Sequence, residues 1–191
     1  MDAMKKHDPY RHVVRKTRFG PAVILWETRS GRPIVRQILI SRPGQPAELS
    51  LKEQFPDSVP SSCGLLDDLG GRIAAFLDGA DVRFALEQVR LDLCPPFQQR
   101  VLLAEYGIPR GSVSTYGRMA AHLGSPGGAR AVGNALATNP FPIVIPCHRA
   151  IRSDRTLGGY QGGRDMKRAL LQQEGVVIDE RGRVVSPKLC Y

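Results

Sequence analysis

The chain has 191 residues, room for one large domain or two small ones, and 42% of them are hydrophobic, enough for a packed core. No run approaches the ~20 apolar residues of a membrane helix. The basic N-terminus lacks the apolar segment of a secretory signal, and cysteines without a disulfide pattern suit a reducing compartment, so the cytoplasm is expected. The formal charge of +9 is either a merely soluble basic surface or the footprint of a polyanionic partner, of which nucleic acid is the commonest. Cys63, Cys94, Cys147 and Cys190 are scattered, form no Cys-x-x-Cys pair and do not cluster with the four histidines. That argues against structural zinc and against a disulfide framework.

Residues 1–18 are polar and read as a mobile lead-in. Val23 to Thr28 is apolar and β-prone, Ile34 to Ile40 alternates, and Gly31-Arg32-Pro33 between them signals a turn; a hairpin is expected. Ser41 to Pro60, rich in proline and polar residues, reads as loop. Leu66, Leu69, Ile73, Phe76 and Leu77 recur at helical spacing and predict an amphipathic helix closed near Gly79. Val82, Phe84 and Leu86 alternate as in a short strand. The first half, to about residue 90, is therefore a small α+β unit with no visible chemistry.

Cys94-Pro95-Pro96 marks a boundary, and the pattern beyond it is helical. Phe97, Val101 and Ala104 share a face of a helix that Gly107 and Pro109 end. Thr115 can cap a second helix running to Leu123, and Ser125 can cap a third, Pro126 to Ala137, with Pro126 at its first position. Two short helices across a glycine turn make a helix-turn-helix pattern. The third helix is built of small residues and carries one charge, Arg130. Such a face either packs tightly inside the protein or approaches another surface closely.

The run Asn139 to Arg149 is chemically the richest. Ile143, Val144 and Ile145 read as a short buried strand, with prolines on both sides that present Cys147 at a rigid turn. His148 and Arg149 beside it suggest a positive field that favours thiolate and makes the sulfur nucleophilic. The competing reading is a buried, inert cysteine.

Five ordered stretches then carry a resemblance. They are Ser114-Thr115-Tyr116-Gly117, Ala129-Arg130-Ala131-Val132-Gly133, Asn139-Pro140 through Pro146-Cys147-His148-Arg149, Gly158-Gly159-Tyr160-Gln161-Gly162-Gly163, and Leu170-Leu171-Gln172-Gln173-Glu174-Gly175. In order and spacing, the segment Phe97 to Gly175 resembles the catalytic domain of the O6-alkylguanine-DNA alkyltransferases, the methylated-DNA–protein-cysteine methyltransferases. The resemblance implies a ribonuclease-H-like α/β N-terminal domain (1–90) without a catalytic role. It also implies a helical catalytic domain of winged helix-turn-helix type (91–180), followed by a C-terminal tail (181–191).

The same resemblance implies direct DNA repair. An alkyl group on O6 of guanine, or on alkylated thymine, would pass irreversibly to Cys147. His148 would act as its base through a water, oriented by Glu174. Tyr116 would donate its hydroxyl to the guanine ring. Arg130 would fill the gap left by the flipped nucleotide, and Ala129, Gly133 and Arg149 would join the DNA contact. Asn139 would brace the turn, and Ala150, Tyr160, Gln161 and Pro142 would complete the pocket with it. The expected partner is double-stranded DNA, read in the minor groove by a nucleoid-associated monomer that needs no cofactor. Ala150 stands where the family usually has valine, and Gln161 where a small residue is common, which leaves the preferred alkyl size open. The zinc-binding domain of the adaptive-response members is missing, so phosphotriester repair is not implied. Two rival functions are a module that flags damaged guanine without repairing it, against which Cys147 argues, and a thiol hydrolase that turns over.

Overall fold

In the computed structural model, which describes residues 9–185 and 188–191, the apolar run Ala22–Trp26 lies inside a four-stranded sheet covered on both faces. The strands are β1 (Arg11–Arg15), β2 (Ala22–Arg29), β3 (Arg32–Ile40) and β4 (Val59–Pro60), in the order β3-β2-β1-β4. Side chains alternate across a strand. Val23, Leu25 and Leu39 therefore face helix α1 (Ala47–Gln54), while Ile24, Trp26 and Ile38 face helix α2 (Gly64–Leu77) through Leu66, Leu69 and Ile73. Burial on both faces is why β2 reads as an unbroken apolar run rather than an alternation.

Several expectations need correction. The mobile reading of residues 1–18 fails from Arg11 onward, where β1 pairs antiparallel with β2 from Arg11↔Trp26 to Arg15↔Ala22; residues 1–8 lie outside the described residues. The strand is disguised because Val13 is its one fully buried side chain and its ends are arginines. Their stems still cover apolar surface, Arg11 lying 5.2 Å over the Trp26 ring. The hairpin turn is Ser30–Gly31, both at positive φ, and not Gly31–Pro33. Pro33 sits in β3, at the edge of the sheet, where a missing N–H is tolerated. The 41–60 loop contains α1 and β4; α1 buries only Ala47, Ser50 and Leu51, a stripe too narrow to show as periodicity. No strand forms at Val82–Leu86. Phe84 instead inserts against Phe76, ring centroids 5.9 Å apart, from irregular chain.

The second half is helical: α3 (Pro96–Tyr106), α4 (Tyr116–His122), α5 (Ala129–Ala137) and α6 (Arg164–Gln173). Thr115 caps α4, its hydroxyl accepting from the Arg118 N–H at 3.2 Å. Helix α5 starts three residues later than the Pro126 start expected from sequence. Gly127, at φ +86°, bends Pro126–Gly128 into a turn closed by Gly128 N–H donating to Ser125 O. A short parallel ladder joins β5 (Ser114–Thr115) to β6 (Ala150–Ile151), which places the entry of the helix-turn-helix beside Cys147. The described end of the tail is laced on: Cys190 N–H donates to Val113 O, and Tyr191 stacks on His122 at 3.9 Å.

The architecture is thus a mixed α/β sheet domain followed by a helical domain, and one apolar core runs through both. The Ile38 N–H on the sheet edge donates to Pro140 O at 2.8 Å, tying β3 directly to the turn that carries the cysteine. Among the described residues no helix is long and apolar enough to cross a membrane.

Candidate active site

Ile143–Ile145 is not the strand that its branched side chains suggest. Pro142 and Ile145 bridge across a tight turn, and Ile143 adopts φ +74°, a conformation rarely taken by a β-branched residue. Asn139, 2% exposed, imposes it. Its side-chain carbonyl accepts from Phe141 N–H at 2.9 Å, and its amide donates to Ile145 O at 3.1 Å. Ile145 N–H closes the turn on Phe141 O at 2.8 Å. Cys147 follows as the first residue of a single 3₁₀ turn, Cys147–Arg149.

In a 3₁₀ turn consecutive side chains diverge by about a third of a circle. Cys147 therefore faces a cleft while His148 and Arg149 point away, into the protein, toward Glu174 just past α6. His148 Nε2 lies 2.9 Å from Glu174 Oε1, and its Nδ1 is buried without a hydrogen-bond partner among the described residues. Arg149 grips the same carboxylate with Nε at 2.9 Å and a terminal nitrogen at 2.8 Å, and donates its other terminal nitrogen to Ile108 O at 2.6 Å. A carboxylate held this way accepts Nε2–H and leaves Nδ1 as the basic face of the ring.

The cleft measures about 800 Å³, within the range of ligand pockets. Tyr116, Tyr160 and Gln161 line it with Cys147, and α5 contributes Ala129, Arg130 and Gly133. Gln161 is fixed by donating to Asn139 O at 2.8 Å. Gly158, at φ +72°, is required: a Cβ there would lie 2.9 Å from the Tyr116 hydroxyl. Three expected pocket residues, Asn139, Pro142 and Ala150, stand behind the wall rather than on it. Arg149 is a further correction. It is 8% exposed and committed to Glu174, so it offers nothing to a DNA surface.

This geometry has solved counterparts. The 6-O-methylguanine DNA methyltransferase, DNA binding domain, family model matches residues 96–176. The chain is 50% identical over 129 residues to the methylated-DNA–protein-cysteine methyltransferase of Methanothermobacter thermautotrophicus, covering 68% of this chain and 71% of that protein. The chain belongs to the methylated-DNA–protein-cysteine methyltransferase family. Its likeness to the O6-methylguanine methyltransferase of Mycobacterium tuberculosis has a TM-score of 0.66 at 32% identity, over 87% of this chain and 92% of that one. The same organism's protein in complex with DNA matches with a TM-score of 0.64 at 31% identity, over 86% and 93%.

For a methyltransferase of this family the resting charges are informative. Burial pushes the Cys147 thiol up to about 12, against the pull of the Asn139 side chain and the Lys167 charge. The expected field from flanking cations is therefore not what the fold supplies, because Arg149 is spent on Glu174. Burial likewise lowers His148, which stays neutral. Burial alone would raise Glu174, but the hydrogen bonds from His148 and Arg149, with the ever-charged guanidinium, bring it down to about 2. Tyr116 is raised to about 12 by burial and by the nearby Glu105 and Cys147, so it keeps its proton.

A depressed carboxyl contributes stability above its unfolded value, near 4.5, and loses it as pH falls toward about 2. The stability gap between the wild type and Glu174→Gln is accordingly expected to shrink between about pH 5 and pH 3. Urea titrations at each pH would measure it; a constant gap would contradict the ionised assignment.

Sequence reasoning missed two buried ionisable residues, Glu105 and Lys167, each 0% exposed. Glu105 stands four residues after Val101, on the buried face of α3, so its helical phase was a usable signal. It also missed the wall contributed by the sheet domain, Gln37, Ile40 and Arg42, which no local pattern could reveal.

Proposed function

We propose that Cys147 is the acceptor in direct repair of O6-methylguanine in DNA, with His148, Glu174 and Tyr116 moving protons around it. The supporting observation is the arrangement itself: a thiol on the floor of a nucleobase-sized cleft, backed by an imidazole whose outer nitrogen is held by a buried carboxylate. The thiol proton passes to His148 Nδ1 through a water, and Glu174 steadies the imidazolium that results. Sulfur then attacks the methyl carbon as the carbon–O6 bond breaks. The electron pair enters the guanine ring, and Tyr116 supplies the proton that lets the base leave neutral. The thioether has no leaving route back, so each molecule acts once.

The intact mass of the protein after mixing with duplex DNA containing O6-methylguanine tests this function. One methyl group per molecule, with no second turnover, is expected. Repeated turnover or unchanged mass would overturn the reading.

A methyl group on O6 is out of reach inside a stacked duplex, so the nucleotide must be extruded. Arg130 is exposed near the start of α5, and Ala129, Gly133 and Ala137 repeat every four residues on the same side of that helix. This row of small residues supports close approach to a minor groove, and in this reading exposed Arg130 fills the vacated stack. Arg130→Ala is expected to slow repair of duplex DNA by about 10²-fold, in keeping with an unstacking cost of a few kcal/mol, and to leave reaction with free O6-methylguanine base little changed. Parallel rate measurements on the two substrates check it; equal slowing on both would contradict the assignment.

A further inference from the structure

The segment just after Cys147 carries two arginines, and the fold treats them differently. Arg149 is buried on Glu174, whereas Arg152 is exposed and lines the cleft. The short parallel ladder sets its position. Thr115 pairs with Ile151, so the next residues of the two strands, Tyr116 and Arg152, leave the ladder side by side. The glycine loop meets both of them: a Cβ on Gly158 would lie 2.9 Å from the Tyr116 hydroxyl and 3.5 Å from Arg152 Cγ. The backbone is held there by Arg152 N–H donating to Thr156 O at 2.9 Å and by Arg155 N–H donating to Arg152 O at 3.0 Å. The Arg152 guanidinium itself has no hydrogen bond or ion pair among the described residues. Asp154, two residues on, is already taken up by the Thr156 hydroxyl at 2.7 Å and the Thr156 N–H at 3.0 Å. A planar fork of donors thus stands unused at the mouth of the cleft.

We propose that Arg152 binds a backbone phosphate of the extruded nucleotide and holds the sugar–phosphate at the mouth while the base meets Tyr116 and Cys147. The proposal rests on Cys147 being the acceptor. A base seated deeply enough to reach a sulfur that is 5% exposed leaves its charged backbone outside, and Arg152 is the unpaired cation beside Tyr116 at that opening. A guanidinium matches phosphate geometry and can grip it with two parallel hydrogen bonds. Such a contact reads no base; it fixes register and orientation. Its role differs from that of Arg130, which acts on the gap inside the duplex, whereas Arg152 acts on the nucleotide that has left it.

Arg152→Ala tests this on duplex DNA and on free O6-methylguanine base in parallel. The second-order rate of transfer from the duplex is expected to fall about tenfold, as for loss of one charge-assisted contact. The salt slope of duplex binding should drop by about one, and the free-base rate should stay unchanged. Arg152→Lys should restore the salt slope but only part of the rate, because an ammonium keeps the charge without the fork. Arg155→Gln removes a charge from the same turn but outside the cleft, and its repair rate should stay near wild type. A duplex with neutral methylphosphonates on both sides of the lesion locates the contact. Wild type should lose about tenfold on it, and Arg152→Ala little beyond what it has already lost. Equal slowing on duplex and free base, equal slowing by Arg155→Gln, or methylphosphonate losses that simply add would overturn the phosphate role while methyl is still found on Cys147. Failure of the wild type to take up methyl on Cys147 would instead overturn the acceptor.

Discussion

Cys147→Ser is expected to abolish methyl transfer while leaving the fold, the thermal transition and most of the affinity for DNA in place. The cysteine is 5% exposed, and its backbone is fixed by the Asn139 turn rather than by its own side chain, so a hydroxyl of similar size fits. Even the thiol is held protonated by burial, pushed up to about 12. A serine hydroxyl in the same place starts from a far more basic oxygen and is a much weaker nucleophile than sulfur toward a saturated methyl carbon. Rate loss should reach the detection limit. Filter binding or fluorescence anisotropy with O6-methylguanine duplex should show retained affinity, since phosphate contacts and the cleft do not depend on sulfur. Transfer surviving in this variant would remove Cys147 from the reaction.

Glu174→Gln is expected to lower both stability and rate. The carboxylate is the shared partner of His148 and of a bidentate Arg149, and its side chain is 1% exposed. Removing its charge strands a guanidinium that is itself almost fully buried, and breaking a buried pair this way costs about 3–5 kcal/mol. The amide oxygen can still accept from His148 Nε2, but it no longer stabilises the imidazolium, so transfer should slow by about 10²-fold rather than vanish. Denaturant melts and single-turnover kinetics measure the two effects. Unchanged stability would mean that Arg149 finds other partners, and an unchanged rate would exclude the Glu174 charge from stabilising the imidazolium.

Much of the site was legible from residue types, and its limits are instructive. Phe97–Tyr106, the Thr115 cap and the prolines around Cys147 gave the helical half and the rigid turn. The run Ile143–Ile145 misled, because branched apolar side chains favour strands while here Asn139 overrides them with two backbone hydrogen bonds. Arg149 misled through adjacency: nearness in sequence implied a field on the sulfur, but the 3₁₀ turn aims it at Glu174. The pairing of His148 with Glu174 spans 26 residues and two elements, so no local pattern contains it; it came from family resemblance alone. The sheet was harder. β1 hid behind its arginines, and the contact of β3 with Pro140 depends on a fold that joins residues a hundred positions apart.

The charge on the chain fits a polyanionic partner, and M. tuberculosis has a related protein crystallised with DNA. The central claim, however, is about one atom, the Cys147 sulfur. Peptide mapping by mass spectrometry after reaction of the wild-type protein with O6-methylguanine duplex tests it most directly. The methyl group should be found on the peptide containing Pro146-Cys147-His148 and on no peptide containing Cys63, Cys94 or Cys190. Methyl on any of those three, or none on Cys147 in protein that has restored the guanine, would contradict it.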